Sequence, residues 1–199
     1  MNQKLSEYIR QIAVEAEAIT EDRRQILDQV VNYVSTHENP QLNFICTHNS
    51  RRSHLSQIWA QTLADHFAIA LTSFSGGTEA TAFHPNAVAA LQRAGFTIEK
   101  EGEENPRYHV YATEGANPMV AFSKKYEDPP NPTTSFAAIM TCSEADADCP
   151  VVFGADQRIK LFYEDPKVAD GTPQEASRYD ERCRQIATEM YYVFSQIKV

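Results

Sequence analysis

The sequence predicts a three-layer α/β domain with a central, mostly parallel sheet, because short apolar strands alternate with amphipathic helices along the chain. Residues 42–46 and 69–74 are two such apolar runs, and each precedes a segment with apolar residues at helical spacing. A third run, residues 136–141, begins the last third of the chain. Strands joined through helices run parallel, and ligands bind at their carboxyl ends.

Two helices are predicted before the first strand. Leu5, Ile9 and Ile12 fall on one helical face, and Thr20 is a candidate N-cap for a second helix that stops before Pro40. No residue pattern in this stretch indicates chemistry. We therefore interpret residues 1–40 as a helical extension for packing or oligomerisation, and residues 41–199 as the α/β domain.

The first strand leads into a polar loop, residues 47–52, and then into a helix predicted for residues 53–67. The second strand is followed by a helix that begins near Pro85 and ends at Gly95. Proline just inside the start and glycine just past the end are typical of helix boundaries. The first loop thus lies where a buried strand becomes a helix.

Residues 101–134 are predicted to be an insertion that contains a β-hairpin. Two alternating stretches, residues 108–112 and 119–126, flank a turn sequence and form the hairpin, which extends the central sheet in this interpretation. Residues 142–149 are expected to be an acidic loop. A last strand and a final helix are placed at residues 159–163 and about 172–197.

Composition and charge exclude several functions for this chain. It has 199 residues and a net charge of −9, with 18 lysines and arginines against 27 acidic residues. A nucleic-acid partner is not expected, because such a partner requires a basic face. The sequence has neither an apolar run of bilayer length nor the apolar core of a secretory signal at residues 1–11. We expect a cytoplasmic protein without a membrane partner, whose four cysteines are thiols.

The loop after the first strand has the pattern Cys-x5-Arg followed by serine. Backbone N–H groups and the helix dipole converge there on one point, which favours an anion and stabilises the Cys46 thiolate. Arg52 can bind two oxygens of a tetrahedral oxyanion, and Ser53 can donate a hydrogen bond to the thiolate. The alternative is a buried structural cysteine beside two surface arginines. The predicted oxyanion-binding residues are Thr47, His48, Asn49, Ser50, Arg51, Arg52 and Ser53.

Residues 45–53 resemble the phosphate-binding loop of the low-molecular-weight protein tyrosine phosphatases and of their relatives, the thioredoxin-coupled arsenate reductases. The positions that match the family motif at the right spacing are Cys46, Asn49, Arg52 and Ser53. Two positions depart from it. His48 stands where the family usually has glycine, and Arg51 where it often has cysteine. The resemblance implies that Cys46 is the nucleophile and Arg52 the catalytic anion ligand.

A leaving oxygen must be protonated in either family's reaction, and two Asp-Pro pairs offer a carboxylic acid for this step. They are Asp128-Pro129 and Asp165-Pro166. The resembled family takes its acid from an Asp-Pro on a loop before the last helix. That resemblance favours Asp165, whereas Asp128 lies in the insertion.

A pair of cysteines, Cys142 and Cys149, follows the third strand with the spacing Cys-x6-Cys. A reductase of this kind needs further thiols that are oxidised to disulfides one after the other, whereas a phosphatase needs neither Cys142 nor Cys149. The segment also resembles the redox loop of the thioredoxin-coupled reductases, in Cys-Ser-x-Ala-Asp and in Cys-Pro. Two structural thiols remain an alternative, and zinc is a weaker one because the spacing is poor for that metal. Cys183 in the final helix is interpreted as structural.

The resemblance covers residues 42–100 and 135–199 and implies an arsenate reductase that uses Cys46, Cys142 and Cys149 in turn. No cofactor is expected to be bound, and thioredoxin or a similar thiol reductant is the expected electron donor. A phosphatase acting on phosphotyrosine or aryl phosphates is the alternative, and a non-enzymatic oxyanion binder is the third hypothesis. The potassium ion of the family's reductases is not predicted, because Gln57 and Phe136 replace the expected carboxylates.

Overall fold

The central sheet has four parallel strands, which confirms the predicted α/β class. The structure is a computed structural model, and it describes residues 1–149 and 151–198. The strand order is β2-β1-β6-β7, with every neighbouring pair parallel. The strands are β1 (Gln41–Cys46), β2 (Thr72–Gly77), β6 (Phe136–Met140) and β7 (Ala155–Lys160).

Five longer helices cover one face of this sheet. The helices α3 (Arg52–His66) and α4 (Pro85–Ala94) both pack against α6 (Glu175–Ser195). The two N-terminal helices, α1 (Gln3–Glu15) and α2 (Glu21–Thr36), also lie on α6. The Asn2 side chain caps α1 by accepting a 2.8 Å hydrogen bond from the Leu5 N–H, as expected of an N-cap asparagine.

Alternation along the strands divides the apolar interior into two cores. In β1, Leu42 and Phe44 face the large helix-covered core, whereas Ile45 faces a smaller one, which Cys46 joins at the very end of the strand. The smaller core lies under a short helix, α5 (Ser143–Asp148). Because successive strand residues point to opposite faces, the two cores produce the three-layer arrangement. Cys46 is the last residue of β1, so the fold delivers it to the carboxyl edge of the sheet.

The insertion forms a second, antiparallel sheet and does not extend the central one. Its hairpin, β4 (Arg107–Tyr111) and β5 (Met119–Ala121), was predicted, but β3 (Thr97–Glu101) was not. The residues of β3 are mostly exposed, so they lack the apolar alternation that marks a strand. The expectation that the hairpin continues the central sheet was therefore wrong.

Three other boundaries differ from the prediction. The second strand begins at Thr72 rather than at residue 69, because Ile69 lies in the capping turn that follows α3. Its N–H donates to the Ala64 carbonyl at 2.8 Å, and Ala68 is left-handed with φ of 57°. The last strand spans Ala155–Lys160 rather than residues 159–163. Residues 142–149, expected to be a loop, contain α5. Within the described residues, no helix has the length and apolar character needed to traverse a bilayer.

Candidate active site

The anion loop, residues 46–52, connects β1 to the first turn of α3, which begins at Arg52. Cys46 is buried, and its Sγ lies 3.0 Å from the Ser53 Oγ. The Asn49 Nδ2 donates to that same oxygen at 2.9 Å. This donation uses an acceptor lone pair of the hydroxyl and leaves its proton free to bind the sulfur. The arrangement can stabilise a Cys46 thiolate by a charge-assisted hydrogen bond.

Asp165 lies across the two arginines of the loop. Its Oδ1 is 2.9 Å from the Arg51 Nε, and its Oδ2 is 2.9 Å from the Arg52 NH2. Burial alone raises the pKa of Asp165, but the charge of Arg52, the Lys167 N–H and Arg51 together hold it below its ordinary value. Asp165 is therefore an anion at neutral pH when it pairs with these arginines. The second guanidinium N of Arg52, NH1, donates to the Tyr163 carbonyl at 3.1 Å.

The ion pairs of Asp165 with Arg51 and Arg52 leave little space in the anion site. The remaining cavity measures about 10 Å³ and is lined by Cys46, His48, Ser50, Arg51, Arg52 and Asp165. Such a volume admits about one water molecule, which is less than a tetrahedral oxyanion requires. An anion that binds Arg52 must therefore displace the Asp165 carboxylate from it.

The structure places the second cysteine next to the anion loop. The Cys142 Sγ is 3.5 Å from the Thr47 Oγ1, and the sulfur is buried in the same small core as Cys46. Burial raises the pKa of the Cys142 thiol, and the charge of Arg52 and the Thr47 hydroxyl act in the opposite direction. The Ala145 N–H also points at this sulfur, at 3.5 Å, so Cys142 is the N-cap of α5.

Cys149 lies at the other end of α5 and is partly exposed. It packs against the edge of the small core beside Tyr126; burial, and then the neighbouring Cys149, raise the pKa of the Tyr126 phenol. Arg158 of β7 donates to the Cys149 carbonyl at 3.0 Å and pairs with the Asp146 carboxylate. These contacts hold α5 against the sheet. Pro150, part of the predicted Cys-Pro, lies outside the described residues.

Several residues around the anion loop were not predicted from the sequence. The Ser123 Oγ donates to the His48 carbonyl at 3.1 Å, and the Lys124 N–H donates to the Asn49 Oδ1 at 2.9 Å. His84 approaches from α4 and lies over the Tyr179 ring; burial, and then Arg51, lower its pKa. These residues lie far from the loop in sequence and match no motif, so no sequence signal marks them. The predicted candidate Asp128 is an exposed residue of the insertion.

The side chains expected at a potassium site do not fit that ion. The Gln57 Oε1 accepts from the Ser75 Oγ at 2.6 Å, and the Gln57 Nε2 donates to the Ser73 carbonyl at 3.3 Å. Phe136 is buried in the small apolar core. Across residues 1–149 and 151–198, no three His, Cys, Asp or Glu side chains form a group that could hold a metal.

Lys124 is a buried amine, and its pKa leads to a prediction about stability. It is 4% exposed, and among the described residues no carboxylate lies within 4 Å of its Nζ. Burial, and then Arg107, lower its pKa from 10.5 to about 8. The unfolded chain therefore binds the proton more tightly, and wild-type stability rises as the pH increases from about 8 to 10.5.

We expect Lys124→Met to raise the free energy of unfolding at pH 7 by up to about 3 kcal/mol, because it removes this buried charge. The gain should shrink between about pH 8 and pH 10.5. Urea unfolding of both proteins across this range measures the difference. A variant less stable than wild type at neutral pH would contradict the prediction.

The chain is similar in sequence to arsenate reductases. It is 27% identical over 154 residues to the arsenate reductase of Bacillus licheniformis, covering 77% of this chain and 93% of that protein. It is 26% identical over 148 residues to the arsenate reductase of Bacillus subtilis, covering 74% of this chain and 88% of that protein. No protein-family model matches the chain.

Its fold is similar to that of solved low-molecular-weight phosphatases. A low-molecular-weight phosphotyrosine phosphatase of Vibrio cholerae O395 superimposes with a TM-score of 0.54 and 15% identity, over 79% of this chain and 95% of that one. The low-molecular-weight protein tyrosine phosphatase of T. tengcongensis superimposes with a TM-score of 0.53 and 14% identity, over 79% of this chain and 99% of that one. At these identities the likeness shows the shared fold.

Proposed function

We propose that this chain, which has the fold of the low-molecular-weight protein tyrosine phosphatases and is similar in sequence to bacterial arsenate reductases, is an arsenate reductase. The observation that carries this proposal is the clustering of three cysteines in and around one small core. Cys46 and Cys142 are buried in it, and Cys149 packs at its edge. A phosphatase requires only Cys46 of the three. The similarity to bacterial arsenate reductases over most of the chain supports the same choice.

The proposed reaction begins with attack of the Cys46 thiolate on arsenate. The bound arsenate displaces the Asp165 carboxylate from Arg52, and Asp165 takes up a proton from an arsenate hydroxyl. An As–S bond then forms while an As–O bond breaks, and Asp165 passes that proton to the departing oxygen, which leaves as water. The Cys142 thiolate then attacks the Cys46 sulfur. The S–S bond forms while the As–S bond breaks, and its electron pair remains on arsenic, which leaves as arsenite. Cys149 next attacks Cys142, which releases the Cys46 thiolate and leaves a Cys142–Cys149 disulfide.

The third step requires α5 to open. Cys142 and Cys149 flank its six residues, and seven steps of a helix separate their Cα atoms by about 10 Å. Disulfide partners have Cα atoms about 4.4–6.8 Å apart. The pair can therefore form a bond only when the helix unwinds and the Arg158 contacts are released. Opening also carries the disulfide towards the surface, where an external thiol can reach it.

The proposed electron donor is thioredoxin or a similar thiol reductant, and the proposed compartment is the cytoplasm, where a disulfide formed in each cycle is reduced again. We further propose that residues 1–40 are a helical extension of an α/β domain that spans residues 41–199. The extension is integral to the packing, since the buried side chains of α1 and α2 join the larger core.

The alternative is hydrolysis of phosphotyrosine or aryl phosphates through a phosphocysteine at Cys46. It is favoured by Asp165, which lies next to Arg52 and can serve both as acid for the leaving oxygen and as base for water. The two activities share one anion site, so aryl-phosphate hydrolysis can accompany arsenate reduction.

The deciding experiment follows NADPH oxidation by the purified protein with arsenate, thioredoxin and thioredoxin reductase. We expect steady, arsenate-dependent consumption by wild type, none by Cys46→Ser, and an unchanged rate for Cys183→Ser. Cys183 is a matched control because it is buried under Trp59, whose Nε1 lies 3.2 Å from its sulfur. If wild type consumes no NADPH but hydrolyses an aryl phosphate in a Cys46-dependent reaction, the reductase proposal is wrong and the phosphatase alternative holds.

A further inference from the structure

The anion loop contains one residue in the left-handed region, Asn49, with φ of 43°. Asparagine adopts this region more readily than most non-glycine residues, but the conformation is still uncommon and depends on the surrounding structure. Contacts from outside the loop hold this shape, and the insertion provides several of them.

Residues 122–126, the segment that follows β5, lie along the loop. The Ser123 Oγ donates to the His48 carbonyl at 3.1 Å, and the Thr81 Oγ1 donates to the same carbonyl at 3.0 Å. A carbonyl oxygen has two lone pairs, so both are used outside the loop. A carbonyl turned towards a bound oxyanion would repel it, and these two bonds keep the His48 carbonyl out of that position.

The same segment holds the left-handed residue itself. The Lys124 N–H donates to the Asn49 Oδ1 at 2.9 Å, which leaves the Asn49 Nδ2 directed at Ser53. Asn49 is fully buried and Ser123 is 2% exposed, so solvent cannot substitute for either bond. The insertion is thus linked by two side chains, Asn49 and Ser53, to the sulfur of Cys46.

The segment is anchored on both sides. The Ser123 N–H and C=O are bonded to the Asn105 side chain, at 3.0 and 2.7 Å. Gly77 of β2 donates to the Lys124 carbonyl at 2.9 Å and accepts from the Tyr126 N–H at 2.9 Å. No Cβ fits at Gly77, since it would lie 2.7 Å from the Asn49 N. The central sheet, the insertion and the anion loop are therefore in close contact at Gly77, with no space for a side chain between them.

We propose that residues 122–126 are the positioning segment of the anion site, and that Ser123 is a positioning residue for oxyanion binding. This inference rests on the anion site of the proposed function, and it gives the insertion a role. Ser123 touches neither Cys46 nor the anion. Ser123 fixes the orientation of the His48 carbonyl by its hydrogen bond. That orientation in turn fixes the conformation of the anion loop.

The test measures the dissociation constant of inorganic phosphate by calorimetry, together with the free energy of unfolding. Ser123→Ala removes the donation to the His48 carbonyl and also the acceptor of the Thr81 N–H, at 2.8 Å. We expect it to weaken phosphate binding about 3- to 10-fold, since the bond to the His48 carbonyl is the one that bears on the anion. The matched control is Ser73→Ala. Ser73 is also buried and donates to the Gln57 carbonyl at 2.9 Å, so its loss should reduce stability without changing phosphate affinity.

A second variant keeps the proposal testable if Ser123→Ala does not fold. Asn105→Gly removes both side-chain bonds to Ser123 and suits the positive φ of 45° at that position, and it should also weaken phosphate binding. Either variant with lowered stability and unchanged phosphate affinity would overturn the positioning role. Failure of wild type to bind phosphate would instead overturn the anion site, and with it the proposed function.

Discussion

Cys142→Ser is expected to abolish multiple-turnover arsenate reduction while leaving aryl-phosphate hydrolysis within about twofold of wild type. The Cys142 sulfur lies beside Thr47, where it can attack Cys46, and among the described residues no other thiol is buried in that small core with Cys46. Without the Cys142 thiol, no second sulfur can attack Cys46, so the arsenic of the thiol–arsenate adduct is not reduced to arsenite. Hydrolysis needs only Cys46, the anion loop and an acid, and these remain.

Cys149→Ser should stop one step later and is the matched comparison. We expect about one equivalent of arsenite per enzyme, followed by arrest with a Cys46–Cys142 disulfide. Thiol titration and mass spectrometry of the arrested protein identify that bond. Steady NADPH consumption by Cys142→Ser would rule out the relay and would require a reductant that attacks Cys46 directly.

The relay should also depend on pH. Burial raises the pKa of the Cys142 thiol above its ordinary value, so only a small part is thiolate at neutral pH. We therefore expect the first-order rate of arsenite release to rise with pH up to at least the ordinary thiol pKa, without levelling off below it. Quench-flow measurement of single turnovers between pH 7 and about pH 9 tests this, and a flat profile would contradict it.

Asp165→Asn is expected to lower turnover and to tighten anion binding at once. Loss of the acid should reduce the turnover number about 10²- to 10⁴-fold. The same carboxylate pairs with Arg52 and so competes with the substrate anion for that guanidinium. Asparagine removes the competing charge, and we expect the phosphate inhibition constant to fall several-fold.

Asp128→Asn is the control for this prediction. Asp128 also precedes a proline, but it is exposed, and its carboxylate accepts from the nearby Lys125 N–H at 3.1 Å. We expect its activity and phosphate inhibition to match wild type. Weaker phosphate inhibition in Asp165→Asn would show that the carboxylate supports anion binding, contrary to the closed arrangement described above.

The order of strands and helices could be predicted because it depends on local periodicity. Apolar runs ending at Cys46 and just before Cys142 marked two neighbouring parallel strands, and the parallel sheet then brings their carboxyl ends together. The Cys-x5-Arg-Ser loop follows in the same way from the passage of strand to helix. β3 was missed because its exposed residues carry no alternation, and α5 because polar residues in a short helix resemble a loop.

Tertiary structure alone decided which distant groups meet at the site. The sequence proposes Arg51, Arg52 and Asp165 as site residues, but only folding across more than 110 residues makes one carboxylate bridge both guanidinium groups. The contact of Ser123 with the His48 carbonyl spans 75 positions and has no motif. Local sequence determines periodicity and capping, whereas contacts between distant segments depend on how the whole chain packs. The chemistry of the loop could therefore be predicted from the sequence, and the closure and support of the site could not.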